Sequence, residues 1–273
     1  MQLLKEHTEK MGRQYADPKS KGHIVPFIRA FKLESTLQEL QQPDVTKHEN
    51  FNAFFSRALK ANARPISEPA NDAVFSSPAD CRMTVFNTTD LATKYWIKGN
   101  SFTIAKLLGD ERSAKAFEGG GMVIARLAPQ DYHRWHAPTS GKITARVEIS
   151  GTYYTVNPQA INEAGTLNVF CENRRSVMYL QRPNGTSVAI VAVGAMLVGS
   201  ILYESGVEVS ATVRRGQCLG KFQYGGSTVI VLWPAGQVAF DHDLAANSSA
   251  EEPCETLMRV GWRVGVAPMA GMT

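Results

Sequence analysis

The chain has 273 residues, of which 44% are hydrophobic and 20% are charged, and its formal net charge at pH 7 is +4. This composition is typical of a globular protein with a core of its own, and it excludes a disulfide-dependent mini-protein. The net positive charge is small, and the Lys and Arg residues form no block along the sequence. Both features argue against a nucleic-acid-binding protein. The net positive charge is compatible with attraction of the protein to an anionic membrane surface.

The first 66 residues carry most of the helical signal. Apolar residues at helical spacing predict one helix around Leu3 to Met11 and a second, amphipathic helix from Phe51 to Leu59 that closes before Pro65. Charged residues interrupt the apolar ones from the fourth position onward, so we expect no secretory signal peptide. The location is therefore expected to be cytoplasmic or at a membrane periphery.

From residue 67 to 273 the pattern changes to short β-rich runs separated by Gly, Pro and Asn. Helices are predicted over Thr103 to Leu108 and over Pro158 to Ile161. Strands are predicted over Gly141 to Ile149, Gly151 to Val156, Ser187 to Val193 and Thr228 to Trp233.

One apolar run, Val188 to Leu202, is shorter than the roughly 20 residues that a membrane-spanning helix needs, and it predicts buried strand. The expected fold class is α+β, with N-terminal amphipathic helices packed on a predominantly antiparallel β core that is sandwich-like or barrel-like. We expect one catalytic domain over 1–273.

Two histidines lie in one short segment, Asp131-Tyr-His-Arg-Trp-His136, between two prolines. Imidazole titrates near neutrality, so His133 and His136 are candidates for general acid and base groups. The alternative is a structural pair, and Trp135 fits an aromatic pocket or plain packing equally well. The set is incomplete for a metal site, and the four widely spaced cysteines favour free thiols, so no metal is expected.

Two further segments carry possible chemistry. Gly225-Gly-Ser-Thr228 precedes a strand and is either a hairpin turn or a strained Gly-Ser bond, in which the hydroxyl of Ser227 attacks the preceding carbonyl. Asp80, in Ser77-Pro-Ala-Asp80, is by itself most simply a turn residue.

In their order along the chain, these segments resemble the phosphatidylserine decarboxylase family. The resemblance extends over nearly the whole chain and rests on the following segments: Phe54-Phe-Ser-Arg57, Arg64-Pro65, Ser77-Pro-Ala-Asp80, Trp96-Ile-Lys-Gly99, Leu107-Leu-Gly109, Arg126 to His136, Tyr153 to Pro158, Val193 to Ser200, Gly225-Gly-Ser-Thr228 and Glu255 to Gly261. Two departures are Cys81 and Gly225, where many members have glycine and leucine.

The resemblance implies a proenzyme that cuts itself between Gly226 and Ser227, giving a β subunit of residues 1–226 and an α subunit of residues 227–273. Ser227 would become a covalent pyruvoyl group, the only cofactor. The family's processing triad maps onto Asp80, His136 and Ser227, and the resemblance gives His133 the role of proton donor in decarboxylation.

The chemistry follows from the residues as well. A serine hydroxyl is a poor nucleophile until a base takes its proton, and a histidine oriented by an aspartate is a recurring solution. Attack on the carbonyl of Gly226 gives an ester, and β-elimination separates the chains and leaves dehydroalanine. Hydrolysis of its imine tautomer releases ammonia and leaves a ketone. That ketone condenses with a substrate amine, and the resulting Schiff base accepts the electrons released with carbon dioxide.

The resemblance favours phosphatidylserine as substrate, with phosphatidylethanolamine and carbon dioxide as products. A free aromatic amino acid is the alternative substrate, and a non-catalytic scaffold is the second alternative. The Phe51 to Leu59 helix, with Arg57, Lys60 and Arg64, either lies at a bilayer surface or packs in the core. A homo-oligomer is possible.

Overall fold

The computed structural model describes residues 10–95, 102–154, 169–195, 201–224, 227–250 and 253–268. Within these ranges the chain forms short helices and antiparallel sheets, so the expected α+β class is confirmed. The largest sheet has eight strands and is open, because its two edge strands do not pair with each other.

The strands are β1 (Val74–Ser76), β2 (Cys81–Phe86), β3 (Met122–Leu127), β4 (Arg134–His136), β5 (Gly141–Ile149), β6 (Arg175–Gln181), β7 (Ser187–Gly194), β8 (Ile201–Tyr203), β9 (Thr212–Val213), β10 (Cys218–Phe222), β11 (Ser227–Leu232), β12 (Ala239–Phe240), β13 (Thr256–Met258) and β14 (Arg263–Val266). The α-helices are α1 (Ile24–Phe31), α2 (Phe51–Phe55), α3 (Thr89–Tyr95), α4 (Ile104–Leu108), α5 (Glu111–Ala114), α6 (Val169–Glu172) and α7 (His242–Ser249). Short 3-10 helices span Pro18–His23, Glu34–Glu39 and Val45–Lys47, and residues 10–16 are also helical.

Strand β11 lies inside the eight-stranded sheet, whose order is β13-β2-β3-β11-β7-β6-β5-β9. All six of its residues are paired with β3 on one side and with β7 on the other, and all six are buried. Successive side chains of a strand point to opposite faces. Val229 and Val231 therefore join one core cluster, with Trp135, while Ile230 and Leu232 join a second cluster beneath α4.

A three-stranded sheet, β4-β10-β8, contributes Trp135, Leu219 and Phe222 to the first of these clusters. The segment with the two histidines thus packs against the same face of the large sheet as Val229 and Val231. This packing brings the histidine segment and the start of β11 into one region of the molecule.

Most predicted elements that lie in the described residues are confirmed. The helix expected from Thr103 starts at Ile104, and the Thr103 hydroxyl caps it by accepting the amide of Lys106 at 3.0 Å. Of the strand predicted over Gly151 to Val156, the described residues 151–154 form a single bridge at Thr152, and the rest lies outside the described residues. The helix predicted over Pro158 to Ile161, and the residues before 10, lie outside the described residues.

The helix predicted from Phe51 to Leu59 is wrong in its extent. It begins after Asn50, whose side chain accepts the amide of Ala53 at 2.9 Å, and it ends at Phe55. Beyond it, the carbonyl of Ala58 accepts from Gln41 and the amide of Lys60 donates to Glu39, each at 2.9 Å. These backbone hydrogen bonds with residues 39–41 replace the hydrogen bonds that a longer helix would make within itself.

The apolar face of α2 packs inside the protein. Phe51, Phe54 and Phe55 are at most 2% exposed and form a cluster with α1. Placement of this face at a bilayer surface is therefore wrong for this fold, because the phenylalanines already have protein neighbours. In the part of the chain that the structure describes, no helix has the length and apolar character needed to cross a membrane.

Replacement of Phe54 by alanine is expected to lower the free energy of unfolding by about 3–5 kcal/mol, because it empties a fully buried site. The control is Phe31→Ala at the end of α1, where the side chain is 38% exposed, and the expected loss there is under about 1 kcal/mol. Urea denaturation followed by circular dichroism measures both losses. Equal, small losses would mean that the α2 face is not part of the core.

Candidate active site

Ser227 is the first residue of β11 and lies between Leu127 of β3 and Gly194 of β7. It is 0% exposed, and its hydroxyl has no hydrogen-bond partner among the described residues. By strand alternation its side chain is on the face that carries Val229 and Val231. Gly226 lies outside the described residues, so the geometry of the predicted scissile bond is not described.

Asp80 lies at the same end of the sheet as Ser227. Arg82 of β2 pairs with Arg126 of β3, so Cys81 lies beside Leu127, which in turn pairs with Ser227. Asp80 is therefore about two strand spacings, roughly 10 Å, from the strand of Ser227.

The carboxylate of Asp80 is held by Arg64. The guanidinium nitrogens of Arg64 lie 2.6–3.0 Å from its oxygens, and the amide of Val260 donates to it at 2.9 Å. Arg64 also binds Glu39 at 2.8 Å. No hydrogen bond in the described part of the chain joins Asp80 to His136 or to Ser227.

His133 lies beside the segment that leads to Ser227. Its carbonyl accepts the amide of Phe222, at the end of β10, and β11 begins five residues later. The imidazole is fully buried, its Nδ1 is 2.9 Å from the carbonyl oxygen of Asp131, and its ring packs on Phe55 with centroids 4.0 Å apart. Because a carbonyl only accepts, Nδ1 carries the proton and Nε2 is the atom that can exchange one.

His136 lies at the other end of β4 and pairs with Cys218 of β10. Its Nδ1 is 2.8 Å from the carbonyl oxygen of Gly216, and its Nε2 is 3.1 Å from the hydroxyl of Tyr132. Burial lowers the pKa of His136, although the Gly216 carbonyl and the charge of Asp80 act in the opposite direction. The imidazole is thus oriented by Gly216 and not by Asp80.

The side chains of His136 and of its neighbour Trp135 point to opposite sides of β4. Trp135 points into the core cluster below the large sheet, so its neighbour His136 points away from the face on which Ser227 lies. His133, and not His136, is therefore the histidine that lies next to the segment leading to β11. The structure brings Asp80, His133, His136 and Ser227 to one end of the molecule without joining Asp80, His136 and Ser227 as a hydrogen-bonded triad.

Two cavities lie next to Asp80 and His136. One, of about 200 Å³, is lined by Asp80 and Cys81, and the other, of about 230 Å³, is lined by His136 and Cys218. Leu59, Arg64 and Tyr132 line both cavities. Burial raises the pKa of Tyr132, so its hydroxyl remains a donor toward Nε2 of His136 at neutral pH.

Asn173 is a site residue that the sequence pattern did not reveal. It is fully buried, and its side-chain amide donates to the carbonyls of Tyr154 and Gly194 at 2.8 and 2.9 Å while accepting from the amide of Tyr154 at 2.7 Å. It thus fixes Gly194, the strand partner of Ser227. In a segment of mixed polar and apolar residues, an asparagine resembles an ordinary turn residue. Only the tertiary contacts reveal its role.

Among the described residues, no group of three or more His, Cys, Asp or Glu side chains is placed to hold a metal ion. The cysteines in these ranges are free thiols, and Cys81 is buried next to Asp80. The site therefore offers the buried serine hydroxyl, two imidazoles, a tyrosine hydroxyl, a buried thiol and a carboxylate paired with an arginine.

The sequence profile of phosphatidylserine decarboxylase matches residues 51–260, which contain all of these site residues. The chain belongs to the phosphatidylserine decarboxylase family. The resemblance recognised in the sequence is thereby confirmed.

Individual members of the phosphatidylserine decarboxylase family differ in length from this chain. The chain is 43% identical to phosphatidylserine decarboxylase proenzyme 3 of Schizosaccharomyces pombe, over 96% of this chain and 26% of that protein. It is also 43% identical to proenzyme 2 of Oryza sativa, of which it covers 42%. It is 34% identical to the proenzyme of Fusobacterium nucleatum, over 93% of this chain and 81% of that protein. The chain thus spans less than half of the fungal and plant relatives.

Loss of the Arg64 side chain is expected to destabilise the protein strongly. Arg64 and Asp80 are both nearly buried, with side chains 11% and 12% exposed, and Arg64→Ala leaves the carboxylate of Asp80 without its cation, whereas Glu39 keeps Arg259. Removing one partner of a buried ion pair costs about 3–5 kcal/mol.

The control is Arg263→Ala, which breaks two pairs near the surface, with Glu68 and with Asp241; the three side chains are 40%, 44% and 27% exposed. The expected loss at that surface position is about 0–1 kcal/mol. Thermal and urea unfolding of both variants measure the difference, and comparable losses would contradict the assignment of Arg64 as the internal partner of Asp80.

Proposed function

We propose that this chain is a pyruvoyl-dependent carboxy-lyase that cuts itself between Gly226 and Ser227 and converts phosphatidylserine to phosphatidylethanolamine and carbon dioxide. The proposed products of the cut are a β subunit of residues 1–226 and an α subunit of residues 227–273 within one catalytic domain. Membership in a family whose relatives are named proenzymes supports this proposal.

The observation that carries the proposal is the hydroxyl of Ser227. A buried hydroxyl normally has a hydrogen-bond partner, and this one has none among the described residues. An orphaned, desolvated hydroxyl that follows a glycine is suited to attack the preceding carbonyl, because the reacting groups are neighbours in the chain. These residues thus fit the pyruvoyl group, which supplies a ketone that binds the substrate amine and withdraws electrons as carbon dioxide leaves.

We assign the remaining roles by position and chemistry. His136 accepts the proton of Ser227 during self-cleavage, and Asp80 supports it electrostatically from the other side of Tyr132. His133 returns a proton to the substrate carbon after decarboxylation, in keeping with its position beside the segment before Ser227. For His136 to reach Ser227, its hydrogen bond with Tyr132 must break and its ring must turn.

The apolar part of the first cavity favours a phospholipid over a free amino acid. Leu33, Leu40 and Leu257 provide apolar contacts for the glycerol and acyl parts. The charged part of the lining is balanced, because Arg64 and Arg259 are paired with Glu39 and Asp80. Trp135 packs on Phe222 in the core and is 1% exposed, so it offers no aromatic pocket for a free amino acid.

Intact-mass spectrometry under denaturing conditions tests self-cleavage. We expect the wild-type chain to yield two chains separated at Gly226, with no free amine at the start of the smaller one, and Ser227→Ala to remain uncut. The matched control is Thr84→Val on β2, which also removes a buried hydroxyl without a hydrogen-bond partner in the described residues. An uncut wild-type chain would indicate a scaffold or a dormant proenzyme, and cleavage of Ser227→Ala would refute the scheme.

Borohydride reduction of the cut protein in the presence of an amine identifies the substrate class. Short-chain phosphatidylserine is expected to add its mass to the α subunit, and an aromatic amino acid at equal concentration is expected to leave that mass unchanged. The reverse result would favour the amino acid decarboxylase, and loss of carbon dioxide from the trapped amine would establish the reaction type.

Isosteric changes at the two histidines separate maturation from turnover. His133→Gln is expected to be cut normally but to decarboxylate about 100-fold more slowly or worse, because a general acid is lost. His136→Gln is expected to remain largely uncut. The exposed His242 provides the control His242→Gln, which should behave as wild type in gel-based cleavage and carbon dioxide release assays. Normal maturation and turnover in both site variants would mean that the pair is structural.

A further inference from the structure

Arg57 is a buried cation whose hydrogen bonds to described residues all go to backbone carbonyls. The residue is 6% exposed, and the described part of the chain places no carboxylate within salt-bridge distance of it. Its guanidinium donates instead to the backbone carbonyls of Phe55, Gln130 and Asp131, at 3.3, 3.1 and 3.4 Å. Burial lowers the pKa of Arg57 to about 10, so the side chain is still charged at neutral pH. Burying a charge without an opposite charge beside it lowers the stability of the folded protein. We therefore expect Arg57 to have a role other than stabilisation.

Arg57 and His133 share one acceptor. The carbonyl oxygen of Asp131 lies 2.9 Å from Nδ1 of His133 and 3.4 Å from Nη2 of Arg57. Phe55 makes a second connection, because its carbonyl accepts from Arg57 and its ring packs on the imidazole of His133. The positive charge of Arg57 therefore lies in the immediate, water-excluded surroundings of His133.

We infer that Arg57 is a positioning residue for His133: it holds the loop carbonyl that orients the imidazole, and its charge sets the pH range over which His133 releases its proton. The inference rests on the proposed role of His133 as the proton donor in decarboxylation. It also gives a function to the arginine of the Phe54-Phe-Ser-Arg57 segment, which the proposed chemistry leaves unassigned.

The sign of the effect follows from electrostatics. A nearby positive charge disfavours the protonated imidazole. With Arg57 charged, His133 therefore loses its proton at a lower pH than it would without that charge. For two charges a few ångströms apart, an effective dielectric constant of about 20 gives an interaction that corresponds to roughly one pH unit or more. Removing the charge of Arg57 is therefore expected to extend activity to higher pH.

Other charged or titratable groups surround His133 and stay constant in this comparison. Asp131 is the nearest acid, and its carboxylate is held by Arg82 and by the amide of Ala128. Among the described residues, such groups also include Tyr132 and Arg134 in the same segment, and Tyr224, whose ring packs on Phe55.

The test compares Arg57→Gln with Arg57→Lys in the mature enzyme. With short-chain phosphatidylserine as substrate, kcat is measured against pH. For Arg57→Gln we expect the alkaline midpoint of kcat to move up by roughly one pH unit or more, while Arg57→Lys, which keeps the charge, retains the wild-type midpoint. An unchanged midpoint in Arg57→Gln, or equal shifts in both variants, would overturn the inference. Arg57→Met, which keeps an apolar stem against Phe54, replaces Arg57→Gln if the latter does not fold.

A second readout does not depend on activity. In the uncut Ser227→Ala chain, the ring resonances of His133 are followed by NMR as the pH is varied, and they are assigned by their absence in His133→Gln. The titration midpoint of His133 is expected to rise in Arg57→Gln and to stay constant in Arg57→Lys. A shift in this experiment together with an inactive wild-type enzyme would refute the proposed function but not the coupling. An active enzyme with no shift would refute the coupling alone.

Discussion

The position of strand β11 is the constraint on which the site depends. All six residues of β11 are buried and hydrogen-bonded to β3 and β7, so its first residue has no freedom to adjust. Ser227 is that residue, and the sheet holds its hydroxyl in the interior, away from water. A proenzyme that must cut its own chain benefits from such rigidity, because a nucleophile fixed next to its target avoids the entropy cost of finding it.

The N-terminal segment completes the site and does more than cover the sheet. Arg64 holds Asp80 and Glu39 together, and Arg57 binds the loop that carries His133. Both arginines precede the β core in the chain but contact residues that lie 16 to 74 positions later. Helix α2 supplies the aromatic cluster that encloses these contacts, so folding of the N-terminal part and formation of the site are linked.

The sequence predicted the strands of the core well, because alternating or continuous apolar runs bounded by glycine have few other structures available. It also singled out Asp80, His133, His136 and Ser227, and the structure brings them to one end of the large sheet. The prediction failed where tertiary contacts replaced local preference. Residues Ala58 and Lys60 continue the helical pattern of Phe51, yet they bond to residues 39–41.

The sequence by itself determined the family, the α+β class and the residues with reactive groups, since these depend on residue type and order. Only the tertiary structure decided which partner each group has. Asp80 is bound by Arg64, His136 is oriented by Gly216 and Tyr132, and His133 shares a carbonyl with Arg57. Such pairings join positions far apart in the chain, and periodicity and spacing carry no information about them, because they arise from the packing of the N-terminal segment and the histidine segment against the β core.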